Sequence, residues 1–135
     1  MRRVSDLNIA SNIPLPAPAL MLYEIPRSEA QEDFVAESRQ VIRDMIAGSD
    51  ARFLLIVGPC SIHDPKAAHE YATRLRGLMD RVHEKIYIVM RCYFEKPRTS
   101  VGWKGLIMDP RLDGSHAIPE GLRMTRRFLR DTLDL

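Results

Sequence analysis

Cysteine is scarce in this sequence, since Cys60 and Cys92 are the only two among 135 residues. Two cysteines cannot build the disulfide framework of a small secreted domain, so they indicate a reduced, cytoplasmic protein. No apolar run approaches the roughly 20 residues that span a bilayer. The start of the chain, with Val4, Ser5 and Asp6 after two arginines, lacks the apolar segment of a signal peptide. We therefore expect neither membrane insertion nor secretion.

The net charge of the chain is small, and the sequence has no low-complexity segment. The formal charge is only +2, although 28% of the residues are charged. Such a balance does not point to nucleic acid as a partner. With 45% hydrophobic residues and no internal repeat, the composition is that of an ordinary globular domain.

Proline is unevenly distributed along the chain. Residues 1–27 hold four of the nine prolines, at positions 14, 16, 18 and 26. Because proline interrupts a helix, this segment predicts an extended arm that lies on a neighbour, or else a partly disordered tail.

Three helices are predicted in the remainder. Ser28 and Gln31 form a capping box, so the first helix begins there and runs to a C-terminal cap at Gly48. Apolar residues at helical spacing predict a second helix over residues 65–83. A third helix is expected from Pro119, because proline is favoured in a first turn.

Two strands are predicted around the second helix, over residues 52–57 and 86–93. Strand, helix and strand in about 40 residues form a βαβ unit with parallel strands. Two strands cannot bury both faces of a parallel sheet, and a (β/α)₈ barrel needs about 250 residues. We therefore expect an α/β fold: an arm and helix over 1–50, then about the first quarter of a (β/α)₈ TIM barrel over 51–135. A small open α/β domain is the alternative, with an exposed edge on either side.

The first candidate site is the loop over residues 58–64. Gly58, which permits unusual backbone angles, ends the first strand, and Asp64 caps the next helix. Ligands bind at the carboxyl ends of strands in parallel α/β folds. Cys60 is interpreted as a metal ligand, a nucleophile or inert packing. The nearby His63 favours one of the first two, and it can equally contact a phosphate or cap a backbone group.

The second candidate site follows the second strand. Arg91 lies where a buried charge is costly unless it meets a partner. Lys96, Arg98 and Thr99 follow on the loop, and paired guanidinium donors suit carboxylates and phosphates. The position of Arg91 favours an anion site over solvated loop charges. Cys92 should point to the opposite face, into the core, instead of forming a disulfide.

Two other features have ordinary interpretations. Trp103 is expected to anchor the glycine-containing segment 99–105 on the rim of the sheet. The arginines of the third helix are expected to form a solvated face, since no partners for RNA binding are visible. They are Arg123, Arg126, Arg127 and Arg130.

Two blocks of sequence resemble a known family. Residues 58–64 read Gly-Pro-Cys-Ser-Ile-His-Asp, and residues 91–99 read Arg-x-Tyr-Phe-Glu-Lys-Pro-Arg-Thr, followed by Gly-Trp-Lys-Gly-Leu at 102–106. They resemble the type I 3-deoxy-D-arabino-heptulosonate 7-phosphate (DAHP) synthases. The resemblance reaches from the arm to the last residue, but covers only the N-terminal part of a family member.

The resemblance implies a metal-dependent (β/α)₈ barrel transferase. Such enzymes condense phosphoenolpyruvate with D-erythrose 4-phosphate and water to give DAHP and phosphate. This reaction is the first step of the shikimate pathway to the aromatic amino acids. By the same resemblance, the full-length protein would be a homo-oligomer inhibited by an aromatic amino acid, and Asp6, Leu7, Asn8 and Ile9 would contribute to both properties.

The resemblance also implies roles for individual residues. Cys60 would be one of four ligands to a divalent metal such as Mn, Fe, Co or Zn, and His63 would contact substrate or order water. Arg91 and Lys96 would bind phosphoenolpyruvate, with Lys96 and His63 as the catalytic pair. Erythrose 4-phosphate would be held by Pro97, Arg98 and Thr99.

The remaining metal ligands would come from beyond Leu135, so we expect the 135-residue chain alone to be inactive. One rival is 3-deoxy-D-manno-octulosonate 8-phosphate synthase, which has Lys-Ala-Asn-Arg-Ser where residues 96–99 read Lys-Pro-Arg-Thr. Another is a non-catalytic anion-binding or regulatory module. A thiol redox protein is disfavoured, because the two cysteines lack Cys-x-x-Cys spacing.

Overall fold

The computed structural model describes residues 5, 7–9, 12–97 and 101–135 of the chain. Within these residues it contains four helices and two strands. They are α1 (Pro18–Glu24), α2 (Glu29–Ile46), β1 (Phe53–Val57), α3 (Pro65–Val82), β2 (Ile86–Met90) and α4 (Ile118–Thr132). All five elements predicted from the sequence are present, and α1 is an addition.

The prediction of an extended arm is wrong for its last third, which forms α1. Pro18 lies in the first turn of that helix, where its missing N–H removes no helical hydrogen bond. Met21 and Ile25 are buried, so the short helix is held by its apolar side rather than by its length. Residues 12–17 precede it without regular structure.

The helix starts predicted from the sequence are confirmed. The Ser28 hydroxyl accepts from the Gln31 N–H at 3.2 Å, and the Gln31 side chain accepts from the Ser28 N–H at 3.1 Å. The Asp64 carboxylate accepts from the N–H of Lys66 at 2.8 Å and of Ala67 at 3.4 Å. These contacts satisfy backbone donors that a helix start leaves unpaired.

The two strands pair in parallel, from Phe53 opposite Ile86 to Val57 opposite Met90. This arrangement confirms the predicted βαβ unit. β2 ends three residues earlier than predicted, because β1 stops at Val57 and leaves residues 91–93 with no strand to pair with.

The core lies beneath the carboxyl ends of the strands. Its buried members are Ile62, Ala68, Phe94, Leu106 and Phe128, and the rings of Phe94 and Phe128 meet edge to face at 5.9 Å. Three of the five come from loops outside the named helices and strands. The core therefore fixes the loops that follow β1 and β2 directly.

The rest of the sheet is incompletely covered. Phe53 and Ile56 of β1 are 66% and 64% exposed. An apolar groove of about 320 Å³ is lined by α2, α3, β2 and α4. These surfaces fit a sheet that further elements would cover. None of the described helices is both long and apolar enough to cross a membrane.

Candidate active site

The two strand ends are held together where Gly58 meets Arg91. A Cβ at position 58 would lie 2.3 Å from the Arg91 carbonyl oxygen, which is far inside van der Waals contact. The backbone of Gly58 is not in the left-handed region. The sequence-based reason for this glycine was therefore wrong: it is needed for close approach of the two chains, and not for an unusual backbone angle.

Backbone hydrogen bonds extend the contact beyond the strands. The Arg91 N–H donates to the Val57 carbonyl at 2.8 Å, and the Ile62 N–H donates to the Tyr93 carbonyl at 2.7 Å. The loop carrying Cys60 is thereby tied at both ends to the segment that follows β2.

The Arg91 guanidinium lies across this loop. It donates to the Pro59 carbonyl at 2.8 Å and makes a longer contact of 3.5 Å with the Gly58 carbonyl. The prediction that Arg91 would be a buried charge is wrong, because its side chain is exposed at the end of the sheet. Within the described ranges it forms no ion pair, so neutral carbonyl oxygens hold its position and leave its charge available to an anion.

The Lys96 ammonium reaches the same turn. Its Nζ lies 3.3 Å from the Cys60 sulfur, next in sequence to the Pro59 carbonyl that Arg91 contacts. Lys96 is half-buried and Cys60 is exposed. Like Arg91, Lys96 has no carboxylate partner among the residues that the structure describes. Two cations and a thiol thus meet at the carboxyl end of the parallel strands.

The other predicted site residues are less constrained. His63 and Pro97 are exposed, and His63 makes no hydrogen bond within the described part of the chain. Arg98 and Thr99 lie outside the described residues, as does Asp6 of the arm. Leu7, Asn8 and Ile9 are exposed.

The described residues alone do not fit a divalent metal. No three His, Cys, Asp or Glu side chains converge anywhere in the described ranges. A structural or catalytic site for such metals takes at least three protein ligands. Cys60 can contribute one thiolate and needs partners from elsewhere.

Cys92 and Trp103 lie where the sequence predicted them. Both cysteines are free, and Cys92 packs against the core cluster. Burial raises the pKa of the Cys92 thiol, because the charged form loses solvation. Trp103 also packs against the core, and its Nε1–H donates to the Asp109 carbonyl at 2.8 Å.

The prediction of a solvated arginine face on α4 is wrong for three of its four residues. Arg130 is half-buried and pairs with Asp131 at 2.6 Å. The Arg123 guanidinium donates to both carboxylate oxygens of Glu24 at 2.7 and 3.0 Å. This contact lowers the pKa of Glu24. The Arg126 Nε donates to the Ile25 carbonyl at 3.2 Å. Because α1 was not predicted, no partner for Arg123 and Arg126 was visible in the sequence.

Sequence reasoning missed Asp109, which is buried at 6% exposure in a segment that looks polar and solvated. The available signal was weak. An aspartate just before Pro110, four residues after Gly105, is consistent with a turn that folds back on itself.

Comparison with known proteins now identifies the family. Residues 25–134 match the sequence pattern of the DAHP synthetase I family. The chain belongs to this family. The two sequence blocks that contain Cys60 and Lys96 lie within the residues that match the family.

The relatives that resemble this chain are about two and a half times as long. The chain is 49% identical over 129 residues to the Phe-sensitive phospho-2-dehydro-3-deoxyheptonate aldolase of Escherichia coli K12, covering 96% of this chain and 37% of that protein. It is 46% identical over 132 residues to the Tyr-sensitive form of Salmonella typhimurium, covering 98% of this chain and 37% of the relative. The chain thus spans a little over a third of these relatives.

A solved structure supports the same alignment in three dimensions. The phospho-2-dehydro-3-deoxyheptonate aldolase from Francisella tularensis SCHU S4 superposes with a TM-score of 0.88 at 46% identity. The match covers 94% of this chain and 37% of that structure. The α/β arrangement described above is therefore the arrangement of the corresponding third of a DAHP synthetase I protein.

Proposed function

We propose that the protein containing this chain condenses phosphoenolpyruvate with D-erythrose 4-phosphate and water, giving DAHP and phosphate. This transferase reaction opens the shikimate pathway. The observation that carries the proposal is the pair of cations, Arg91 and Lys96, that meet at the Cys60 turn without an ion-pair partner in the described part of the chain. Membership of the family and the names of the relatives support it.

The charges of the substrates explain why such a pair is needed. Phosphoenolpyruvate carries a carboxylate and a phosphate, and the second substrate brings another phosphate. Holding them side by side requires cations that offset their repulsion. The planar fork of Arg91 suits a carboxylate or phosphate, and the compact ammonium of Lys96 suits a phosphate as a point charge.

We assign the second substrate to the residues that follow Lys96. Pro97, with Arg98 and Thr99, would hold erythrose 4-phosphate, the last two on its phosphate group. In the reaction, the enol carbon of phosphoenolpyruvate bonds to the aldehyde carbon, water adds to the adjacent carbon and phosphate leaves by C–O cleavage. Lys96 would hold the phosphate through this step, and His63 would contact substrate or order the water.

We propose Cys60 as one ligand to a divalent metal, with the other ligands supplied from outside the described residues. Its exposed sulfur at a strand end is accessible for this role. The native metal among Mn, Fe, Co and Zn is left to measurement.

The arm and the barrel are proposed to have separate roles. Residues 1–50 would form an arm and helix for homo-oligomer contacts and for response to an aromatic amino acid, through the segment Asp6 to Ile9. Residues 51–135 would form the first part of a (β/α)₈ barrel, whose further strands cover the groove beside β2. The relatives include a Phe-sensitive and a Tyr-sensitive form, so phenylalanine and tyrosine are both candidate inhibitors. We place the enzyme in the cytoplasm.

Loss of phosphoenolpyruvate on addition of erythrose 4-phosphate tests the proposal. The longest reading frame that contains this chain would be assayed with and without a chelator, beside the 135-residue chain alone. We expect chelator-sensitive turnover by the longer protein only. Arabinose 5-phosphate serves as the alternative substrate, and preference for it would identify the octulosonate reaction instead.

Two lysine variants, one at the candidate site and one at the opposite end of the sheet, test whether the activity depends on Lys96. Lys96→Met should lower kcat/KM on the order of 10- to 100-fold, as expected when a charged hydrogen bond is lost. Lys85→Met is the control, because exposed Lys85 lies just before β2, at the opposite end of the sheet. Phosphate binding without turnover by the longer protein, with metal supplied, would leave only an anion-binding module.

A further inference from the structure

Asp109 is a buried carboxylate with one unpaired oxygen. Its Oδ2 accepts from the Gly114 N–H at 3.1 Å, whereas Oδ1 has no partner among the described residues. An unpaired buried acceptor destabilises the folded state, because it has lost its hydrogen bonds to water. Because the buried Asp109 carboxylate destabilises the fold in this way, we look for a role of Asp109 other than packing.

Asp109 closes the segment 101–114 into a compact turn. Its N–H donates to the Gly105 carbonyl at 3.0 Å, and its carbonyl accepts from Trp103 Nε1 at 2.8 Å. Together with the contact to Gly114, these hydrogen bonds join both halves of the segment to one residue.

The closed turn is pressed against the loop that follows β2. Gly105 forms an antiparallel bridge with Glu95. A Cβ on Gly105 would lie 2.2 Å from the Phe94 carbonyl oxygen, and its φ of +115° favours glycine. The neighbouring Leu106 is fully buried in the core, so the turn cannot shift without disturbing packing.

Lys96 is held at the end of this contact. Its N–H donates to the Lys104 carbonyl at 2.9 Å, one residue beyond the bridge. Its side chain then extends to the Cys60 sulfur at 3.3 Å. Movement of the turn would therefore move the Lys96 backbone, and with it the ammonium.

We propose that Asp109 is a positioning residue for Lys96, because it closes the turn whose backbone holds Lys96 beside Cys60. The inference rests on the proposed function, in which Lys96 binds phosphoenolpyruvate. The Asp109 carboxylate acts through its hydrogen bond to the Gly114 N–H, which closes the turn. The contacts of Asp109 with Trp103 and Gly105 are made by its backbone and connect the closed turn to the bridge at Glu95.

A double-mutant cycle tests this coupling in the longest reading frame that contains the chain. The dissociation constant of phosphoenolpyruvate would be measured by calorimetry for the parent, Asp109→Ala, Lys96→Met and the double variant. We expect Asp109→Ala to weaken binding about tenfold in the parent, and to change it less than about twofold once Lys96 is replaced. Asp113→Ala is the matched control, since Asp113 is an exposed aspartate of the same region whose carboxylate accepts from the Ser115 N–H and lies near the charge of Arg111.

A milder variant covers the case in which Asp109→Ala fails to fold. Trp103→Phe keeps an aromatic ring against the core, while it removes the hydrogen bond to the Asp109 carbonyl and the second ring of the indole. It should weaken phosphoenolpyruvate binding about threefold, again only while Lys96 is present.

The outcomes separate this inference from the proposed function. Equal weakening with and without Lys96 would overturn the positioning role, since it would show a general loss of structure. A parent protein that does not bind phosphoenolpyruvate would overturn the proposed function and this inference with it.

Discussion

Replacing Gly58 by alanine tests whether the two strand ends must touch. The new methyl group would lie 2.3 Å from the Arg91 carbonyl oxygen and 3.1 Å from the Arg91 Cβ. Such contacts normally lie near 3.5 Å, so the strand ends must separate by about 1 Å. Because the obstacle includes backbone, a side-chain rotation cannot relieve it. We expect Gly58→Ala to lower the free energy of unfolding by about 1–3 kcal/mol, in the range measured for overpacked sites.

Gly77→Ala is the matched control for the same chemical change. Gly77 lies inside α3, and a Cβ there would meet nothing within 4 Å. Alanine at such a helical position should stabilise the protein by about 0.5–1 kcal/mol. Urea unfolding followed by circular dichroism would compare the two midpoints, and phosphoenolpyruvate affinity would report displacement of Arg91. A Gly58→Ala protein with an unchanged midpoint and affinity would refute the packing argument.

Two further predictions concern the thiols and the attachment of α1. At neutral pH iodoacetamide should modify exposed Cys60 well before Cys92, whose pKa is raised by burial, and equal rates by peptide mass mapping would contradict this. The contact with Arg123 lowers the pKa of Glu24, so its stabilising effect is present above the unfolded-state pKa and is lost as the pH falls through the folded-state pKa. Glu24→Gln should therefore lower the amide protection factors over residues 18–24 at neutral pH, and acidification should lower them little further in the variant. Protection factors equal to the parent's would show that the ion pair does not hold α1.

Much of the fold was predictable because its signals are local. The capping box at Ser28 and the cap at Asp64 depend on side chains within three residues of the helix start, and both are confirmed. The parallel pairing followed from the length of the crossover. α1 was missed because Pro14, Pro16 and Pro18 were interpreted together as helix breakers, although Pro18 suits a first turn and good helix formers follow it. Burial of Met21 and Ile25 and contacts with Arg123 and Arg126, about 100 residues away in sequence, stabilise it.

The candidate site was predictable in its residues but not in its geometry. Cys60, Arg91 and Lys96 follow from their positions after strands and from the family resemblance. The contact between Lys96 and Cys60 depends on side-chain conformations that sequence does not specify. Asp109 was missed because burial of a polar residue depends on tertiary folding of an irregular segment, which has no periodic pattern to reveal it.

The candidate site is positioned by contacts among the described residues, whereas the sheet has exposed apolar side chains that are left uncovered. Among the described residues, three contacts position Arg91 and Lys96: the Gly58 approach, the Ile62–Tyr93 hydrogen bond and the turn closed by Asp109. The sheet leaves Phe53 and Ile56 exposed, so it depends on further cover. Contacts within the described residues therefore position Arg91 and Lys96, and no carboxylate among those residues neutralises their charges. An anion at the Cys60 turn would balance those charges, as the proposed binding of phosphoenolpyruvate requires.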